Sequence, residues 1–208
     1  MSFPFGWVCE LLNKLDQNHT KFLNTDKVLD RDARTVIAWF NKHDGSIPRQ
    51  GSPAVAFLSC LFPERRPDRV YNIREKRLEA IVQQAQCLGS SRLKDLQNWR
   101  TNDGMNFASC VERVMSATDS EPRHGPSATV EELDETLDRI AATSSFSSVY
   151  LRERIKEKHA EPIRTDDALS GIFRVLNSSE AKWMVRMLLK DYGPISVILP
   201  QPTLNHPP

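Results

Sequence analysis

Residues 180–191 read Glu-Ala-Lys-Trp-Met-Val-Arg-Met-Leu-Leu-Lys-Asp. At ~100° per residue, Ala181, Met184, Val185, Leu188 and Leu189 cover a wide apolar arc, which Trp183 and Met187 extend. A helix apolar around most of its circumference must be surrounded by other elements, so this segment predicts the centre of a helical fold. Lys182, Arg186 and Lys190 fill the remaining arc. Glu180 and Asp191 project elsewhere by the same count, so the three cations are expected to form an unmixed, solvent-facing stripe. Such a stripe is a candidate set of phosphate contacts, with the wet side of a buried helix as the equal alternative.

Working outward, apolar residues keep a helical period almost everywhere, and no stretch sustains the alternation of a strand. The fold class is all-α. Trp7, Leu11 and Leu15 fall four apart and give the first helix its buried stripe. Asp30 is placed to cap a second helix carrying Ala33, Val36, Ile37 and Phe40 inward, with Gly45 after its end. Ser52 and Pro53 open a short helix that must stop at Pro63. A charged turn, Glu64 to Asp68, leads to a helix from about Ile73 with Leu78, Ile81, Val82, Ala85 and Leu88 inward, ending at Gly89. Leu93 to Trp99 and Phe107 to Met115 suggest two more. Thr129 with Glu132 forms a capping box for a helix carrying Leu133, Leu137 and Ile140. Val149 to Ile155 and Leu169 to Leu176 complete the series.

Residues 118–127 read TDSEPRHGPS, the composition of a loop. Residues 1–193 therefore read as a helical domain with an internal loop at about 118–128. Residues 194–208 read as an irregular tail, since four of the last nine residues are proline.

The 208 residues suffice to bury a core, and 39% hydrophobic with 26% charged residues describes a globular chain. No apolar run approaches the ~20 residues of a membrane span, and Met1 to Trp7 lacks the pattern of a signal peptide, so no membrane partner and an intracellular protein are expected. Cys9, Cys60, Cys87 and Cys110 form no CxxC pair and read as reduced core thiols. With 28 Lys and Arg against 27 Asp and Glu, any polyanion-binding surface must be local.

Lys42-His43-Asp44-Gly45 matches the Lys-x-Asp-Gly string of nucleotidyltransferases, in which the lysine attacks the α-phosphate of ATP. It stands at a helix end, where Asp-Gly is ordinary turn chemistry, and no partner motif accompanies it. The sequence contains no GxxxxGK, GxGxxG, HExxH or GxSxG string, and its five histidines lack ligand spacing. Asp166 and Asp167 read as an N-cap and a first-turn acid. No catalytic residue and no metal ligand is assigned.

Basic residues cluster at Arg65, Arg66 and Arg69; at Arg74, Lys76 and Arg77; at Arg92 and Lys94; and at Arg152, Arg154, Lys156 and Lys158. Acids interleave with most of them, as a solvated face requires. The candidate phosphate contacts are Lys182, Arg186 and Lys190, then Arg65, Arg66, Arg69, Arg74 and Lys76.

The string from Glu180 to Asp191 resembles the E-x-K-W-L-I-R-M-I-L-K-D segment of the N-terminal domain of eukaryotic, fungal-like ATP-dependent DNA ligases, most closely the DNA ligase IV group. Leu58 to Val82, LSCLFPERRPDRVYNIREKRLEAIV, is similar to that domain's leucine-rich segment followed by Arg-x-x-Tyr-x-Ile-x-Glu. Leu137 to Ser145, LDRIAATSS, is similar to its LDxIA stretch. The similarity covers roughly Phe5 to Asp191.

The resemblance implies a multi-helix orthogonal bundle, shorter at its C-terminus than the family's domain. It also implies a module that grips duplex DNA, nicked or broken, through its backbone for repair, recombination or non-homologous end joining in the nucleus. No cofactor is expected on this chain, because in the family ATP and Mg2+ serve a separate catalytic domain, which also carries the Lys-x-Asp-Gly lysine. A helical protein-interaction scaffold without DNA binding is the alternative.

Overall fold

The computed structural model describes residues 2–21, 25–101, 105–117, 128–159 and 161–195. Among them the chain forms α1 (Phe5–Lys21), α2 (Thr25–His43), α3 (Gly51–Leu61), α4 (Glu75–Ala85), α5 (Ser90–Leu96), α6 (Phe107–Ser116), α7 (Val130–Ala142), α8 (Val149–Lys158), α9 (Thr165–Val175) and α10 (Ser178–Leu189). Pro63–Arg65 and Gln97–Arg100 are 3₁₀ turns. No strand occurs among the described residues, and an isolated bridge joins Pro4 to Thr129. The expectation of an all-α fold is met. The loop expected at 118–127 lies outside the described residues, as does the tail beyond Ile195.

α10 is the central element that its sequence demands. Ala181, Trp183, Met184 and Val185 have no exposed surface, and α10 packs chiefly on α6 and on α1. Trp183 satisfies its indole N–H on Asn13 Oδ1 of α1 at 2.8 Å, as a buried tryptophan must. The helix starts in a capping box: Asn177 accepts from the Glu180 N–H, and Glu180 reaches back to the Asn177 N–H. Gly6 of α1 lies so close to Glu180 that an added β-carbon would stand 2.9 Å from Oε1, so a larger residue there would have to displace the Glu180 carboxylate.

Residues from both sides of the 118–127 segment share one core, in which Phe3, Leu11, Leu61, Leu78 and Phe107 lie with Val130, Leu137, Phe173 and Trp183. The N-terminus is stitched onto the start of α7 by Phe5 N–H to Ala128 O and Val130 N–H to Phe3 O, both 2.9 Å. The Thr129–Glu132 capping box is present.

Several local expectations differ. Asp30 caps nothing, because α2 begins at Thr25 and holds Asp30 in its interior as the partner of Arg34 one turn on. The inward face of α2 is Val36 and Trp39, whereas Ile37 is exposed. α3 begins at Gly51 with Gln50 at its N-cap, so Ser52 lies inside the helix.

α4 ends at Ala85 rather than at Gly89. Cys87, at φ 48°, takes the left-handed position, and the Leu88 N–H closes the end on Gln83 O at 3.0 Å. Gly89, left free by this, becomes the N-cap of α5. All four cysteines are free thiols; Cys9, Cys60 and Cys110 are buried as expected, but Cys87 is exposed by its place in this turn. Burial pushes the Cys60 thiol up and keeps it protonated.

Candidate nucleic-acid interface

The three cations of the α10 stripe do not face solvent together. Lys182 is 8% exposed, and its Nζ lies 2.8 Å from Asp16 of α1 and 3.2 Å from Glu112 of α6. Arg186 is 9% exposed, donates to the Tyr192 carbonyl at 3.0 Å and stands over the Trp183 ring. The arc judged free of acids is thus closed by Asp16 and Glu112, brought from distant helices. The prediction of a rigid, solvated cationic stripe is corrected for Lys182 and Arg186: their role in the structure is to pair with the half-buried carboxylates of Asp16 and Glu112 and to cover Trp183.

Lys190 departs differently. It is the C-cap of α10 in the left-handed conformation, φ 53°, and so leaves the helical arc altogether. Its Nζ donates to the carbonyls of Arg66 and of Arg69, the latter at 2.7 Å, and lies over the Tyr71 ring. Burial, aided by the Arg69 and Arg66 cations, lowers its pKa from the ordinary lysine value.

The cluster at residues 65–69 divides. Arg69 is 2% exposed and held by Asp134 Oδ1 and Asp138 Oδ1 of α7, each at 2.6 Å. Burial opposes its charge, but Tyr71, Asp134 and Asp138 more than offset this and raise its pKa, so it is a structural cation closed to a ligand. Arg66 is half-buried, with Asp68 Oδ2 at 2.8 Å and Asp138 Oδ1 at 3.3 Å. Asp138 also accepts from Arg154 of α8. The interleaved charges thus form one network tying the Pro63–Asp68 turn to α7 and α8. Arg65 alone of the three is exposed, with its guanidinium over the Phe62 ring.

The remaining candidates come together. The extended segment after Arg69 passes Tyr71 and Ile73, both buried, and delivers Arg74 to the N-cap of α4. Arg74, Lys76 and Arg77 are exposed and line a groove of about 640 Å³. Its opposite wall is the end of α10, Leu188, Leu189 and Lys190. No acid lines it. Among the described residues, neither Arg74 nor Lys76 has an ion pair, and the Arg77 Nε contact with Asp166 Oδ1 of α9, at 2.9 Å, is exposed and weak. Asn72 turns the segment in the left-handed conformation, φ 51°, and bonds Ser144 beyond α7 at 2.9 Å. An open groove with convergent cations, one apolar wall and no carboxylate fits a phosphate backbone.

The other sequence candidates take structural places. Lys42 ends α2 and salt-bridges Glu10 of α1 at 3.0 Å; Asp44 pairs with Arg49 at 2.8 Å. His43 is buried, with its ring 4.5 Å from Trp7 and 4.8 Å from Trp39 between centroids. Asp166 and Asp167 lie in the first turn of α9, and the N-cap is Arg164 instead of Asp166. No cluster able to hold a metal ion occurs among the described residues. Sequence reading did not identify the groove's walls, because Tyr71, Leu188 and Leu189 carry the same apolar periodicity as the core.

No helix of the described residues is long and apolar enough to cross a membrane. Among curated proteins none gives a significant match to the chain. A family model described as DNA ligase N terminus matches residues 4–193, which span every helix from α1 to α10, the Arg69–Arg77 segment and the groove. With nearly the whole chain and the all-helical fold in agreement, the chain belongs to the DNA ligase N terminus family.

Proposed function

We propose that this chain is the duplex-gripping module of an ATP-dependent DNA ligase of the ligase IV group, fungal-like in sequence. It serves nick and end sealing in nuclear DNA repair, recombination and non-homologous end joining. ATP and Mg2+ act in a separate catalytic domain, and this helical module holds the DNA by its phosphates without reading bases, since sealing must proceed at any sequence.

The observation that carries the reading is the acid-free groove of Arg74, Lys76, Arg77 and Lys190 in a member of this family. Arg65 lies beyond Lys190, in a neighbouring hollow that also holds Glu64 and Asp191. Lys182, Arg186 and Arg69 hold the scaffold that carries the groove, and Arg66 fixes the turn leading into it.

The test is duplex DNA binding measured across a salt series. Each phosphate contact contributes a slope of ~0.9 in the log-log plot. Arg74→Gln with Lys76→Gln is expected to weaken binding and to lower the slope by roughly two. A slope unchanged in a normally folded double variant overturns the assignment of this groove.

One feature favours a helical protein-interaction scaffold as second reading. Phe146, just before α8, and Val149 and Tyr150 at its start are 75%, 58% and 74% exposed. Apolar side chains exposed together mark interaction sites more often than scattered ones do. Wild-type chain that fails to bind duplex DNA at low salt would favour this reading.

A further inference from the structure

A second cationic groove opens on the far side of α8. It has a volume of about 530 Å³ and lies between the end of α7, α8 and the segment leading to α9. Arg139 comes from the last turn of α7, Arg152 and Lys156 from successive turns of α8, and His159 from its C-cap. Ile155, Pro162 and Ile163 supply apolar lining, and Glu161 is the acid on the wall.

Two of the cations have an ordinary explanation when taken singly, because Arg139 and Lys156 stand near helix C-termini, where the macrodipole favours positive charge. Their arrangement goes further. Arg152 and Lys156 are four apart on one helix, so they repel each other, and Arg139 faces the same space from another helix. None of the three has an ion pair among the described residues, although acids are plentiful nearby: Glu135 is taken by Lys158 at 2.8 Å and by His159 at 3.2 Å. Glu153 and Glu157 do not line the groove. The Arg152 Nε is buried without any hydrogen-bond partner. An unmet buried donor on a charged fork is costly, and a bidentate oxyanion would satisfy it.

Two contacts tie the segments beside this groove to the first one. Asn72 of the first bonds Ser144 at 2.9 Å, two residues past α7. The chain that lines the second through Ile163 runs into α9, whose Asp166 meets Arg77 of the first at 2.9 Å.

We propose that Arg139, Arg152 and Lys156 form a second phosphate site, occupied by the backbone of the same duplex, so that the DNA footprint extends across the start of α9. The choice of occupant rests on the duplex-gripping reading; the phosphate chemistry of the site does not.

The test follows the Arg152 side-chain Nε–Hε resonance in the full chain during titration with duplex DNA and, separately, with inorganic phosphate. Salt slopes are measured for wild type, Arg152→Gln with Lys156→Gln, and Arg74→Gln with Lys76→Gln. The expected result is a shifted Arg152 resonance with duplex and a slope lowered by roughly two in each double variant. Thermal stability should be undiminished in Arg152→Gln with Lys156→Gln, which separates a ligand site from a structural one.

If the slope falls only in the Arg74 and Lys76 variant and Arg152 is unmoved by duplex, the second site is overturned and the first stands. If the slope falls only in the Arg152 and Lys156 variant, the second site stands and the first groove is misassigned. A resonance moved by inorganic phosphate but not by duplex overturns the duplex as occupant. A resonance moved by neither overturns the site.

Discussion

Two sets of cations in this molecule look alike along the chain and behave oppositely in the fold. Lys182 and Arg186 stand a turn apart on α10, are nearly sealed from water and meet Asp16 from α1 and Glu112 from α6. Arg74, Lys76 and Arg77 crowd the start of α4, are exposed, and face the end of α10 across an open groove. The first set has no acid beside it in sequence but acquires one in space. The second has Glu75 in its midst, yet no acid lines its groove. Local charge pattern therefore does not tell an exposed cation from a neutralised one. The deciding quantity is which distant carboxylates the fold brings within reach.

The comparison breaks most visibly at Arg69. Arg69→Ala leaves Asp134 and Asp138 without their closest buried cation, and removing one partner of a buried pair costs about 3–5 kcal/mol. Thermal melting of the variant should fall by on the order of 10 °C. A fall of only a degree or two would mean that Arg66 and Arg154 re-close the network.

Lys182 should follow. Lys182→Ala is expected to destabilise by about 2 kcal/mol by taking from the half-buried Asp16 its closest cation, with Arg186 left at 3.9 Å, and pairing it with Asp16→Ala should recover part of that loss. Additive single losses in chemical denaturation would show that the two charges do not sense each other. The cation would then belong with the exposed set.

His43 sharpens the comparison with a group that titrates. Burial lowers its pKa, with Lys42 acting in the same direction against Glu10. Because the folded-state value lies below the unfolded one, the unfolded chain binds more protons as pH falls. The stability contributed by the neutral ring is complete above the unfolded value of ~6.5 and declines as pH drops through and below it. Unfolding followed from pH 7.5 down to pH 5 should show this loss. In His43→Phe, which keeps a ring against Trp7 and Trp39, the decline should be smaller; an identical pH profile would remove His43 as its source.

The smallest effect is expected at the exposed set. Arg74→Gln with Lys76→Gln should change stability by no more than about 0.5 kcal/mol, since exposed charges without partners contribute little to folding. A larger loss would place these residues with Lys182 as structural cations and weaken their assignment to a ligand.

The helices were legible because burial imposes a period that a sequence must carry. The apolar arc of 180–191 announced a central helix, and the Thr129–Glu132 box announced the start of α7, since both depend on residues within a turn or two. Errors of extent arose where the end of an element depends on its neighbours or on an unusual residue. Cys87 closes α4 in a conformation normally left to glycine or asparagine, so Gly89 drew the boundary too far along the chain.

The cationic surface was legible only as a set of candidates. Composition and periodicity placed Arg74, Lys76 and Lys190 on the page but could not join them, because Lys190 reaches the groove by leaving its helix in a left-handed turn. Nor could they remove Lys182, Arg186 and Arg69, whose carboxylate partners lie some 65–170 residues away. Sequence by itself determined the helices, the centrality of α10 and the resemblance to a family, all of which rest on short-range periodicity and motif. Tertiary structure alone decided which cations remain available, because the free energy of a charge depends on its depth and on the charges packed around it, whatever their separation in the chain.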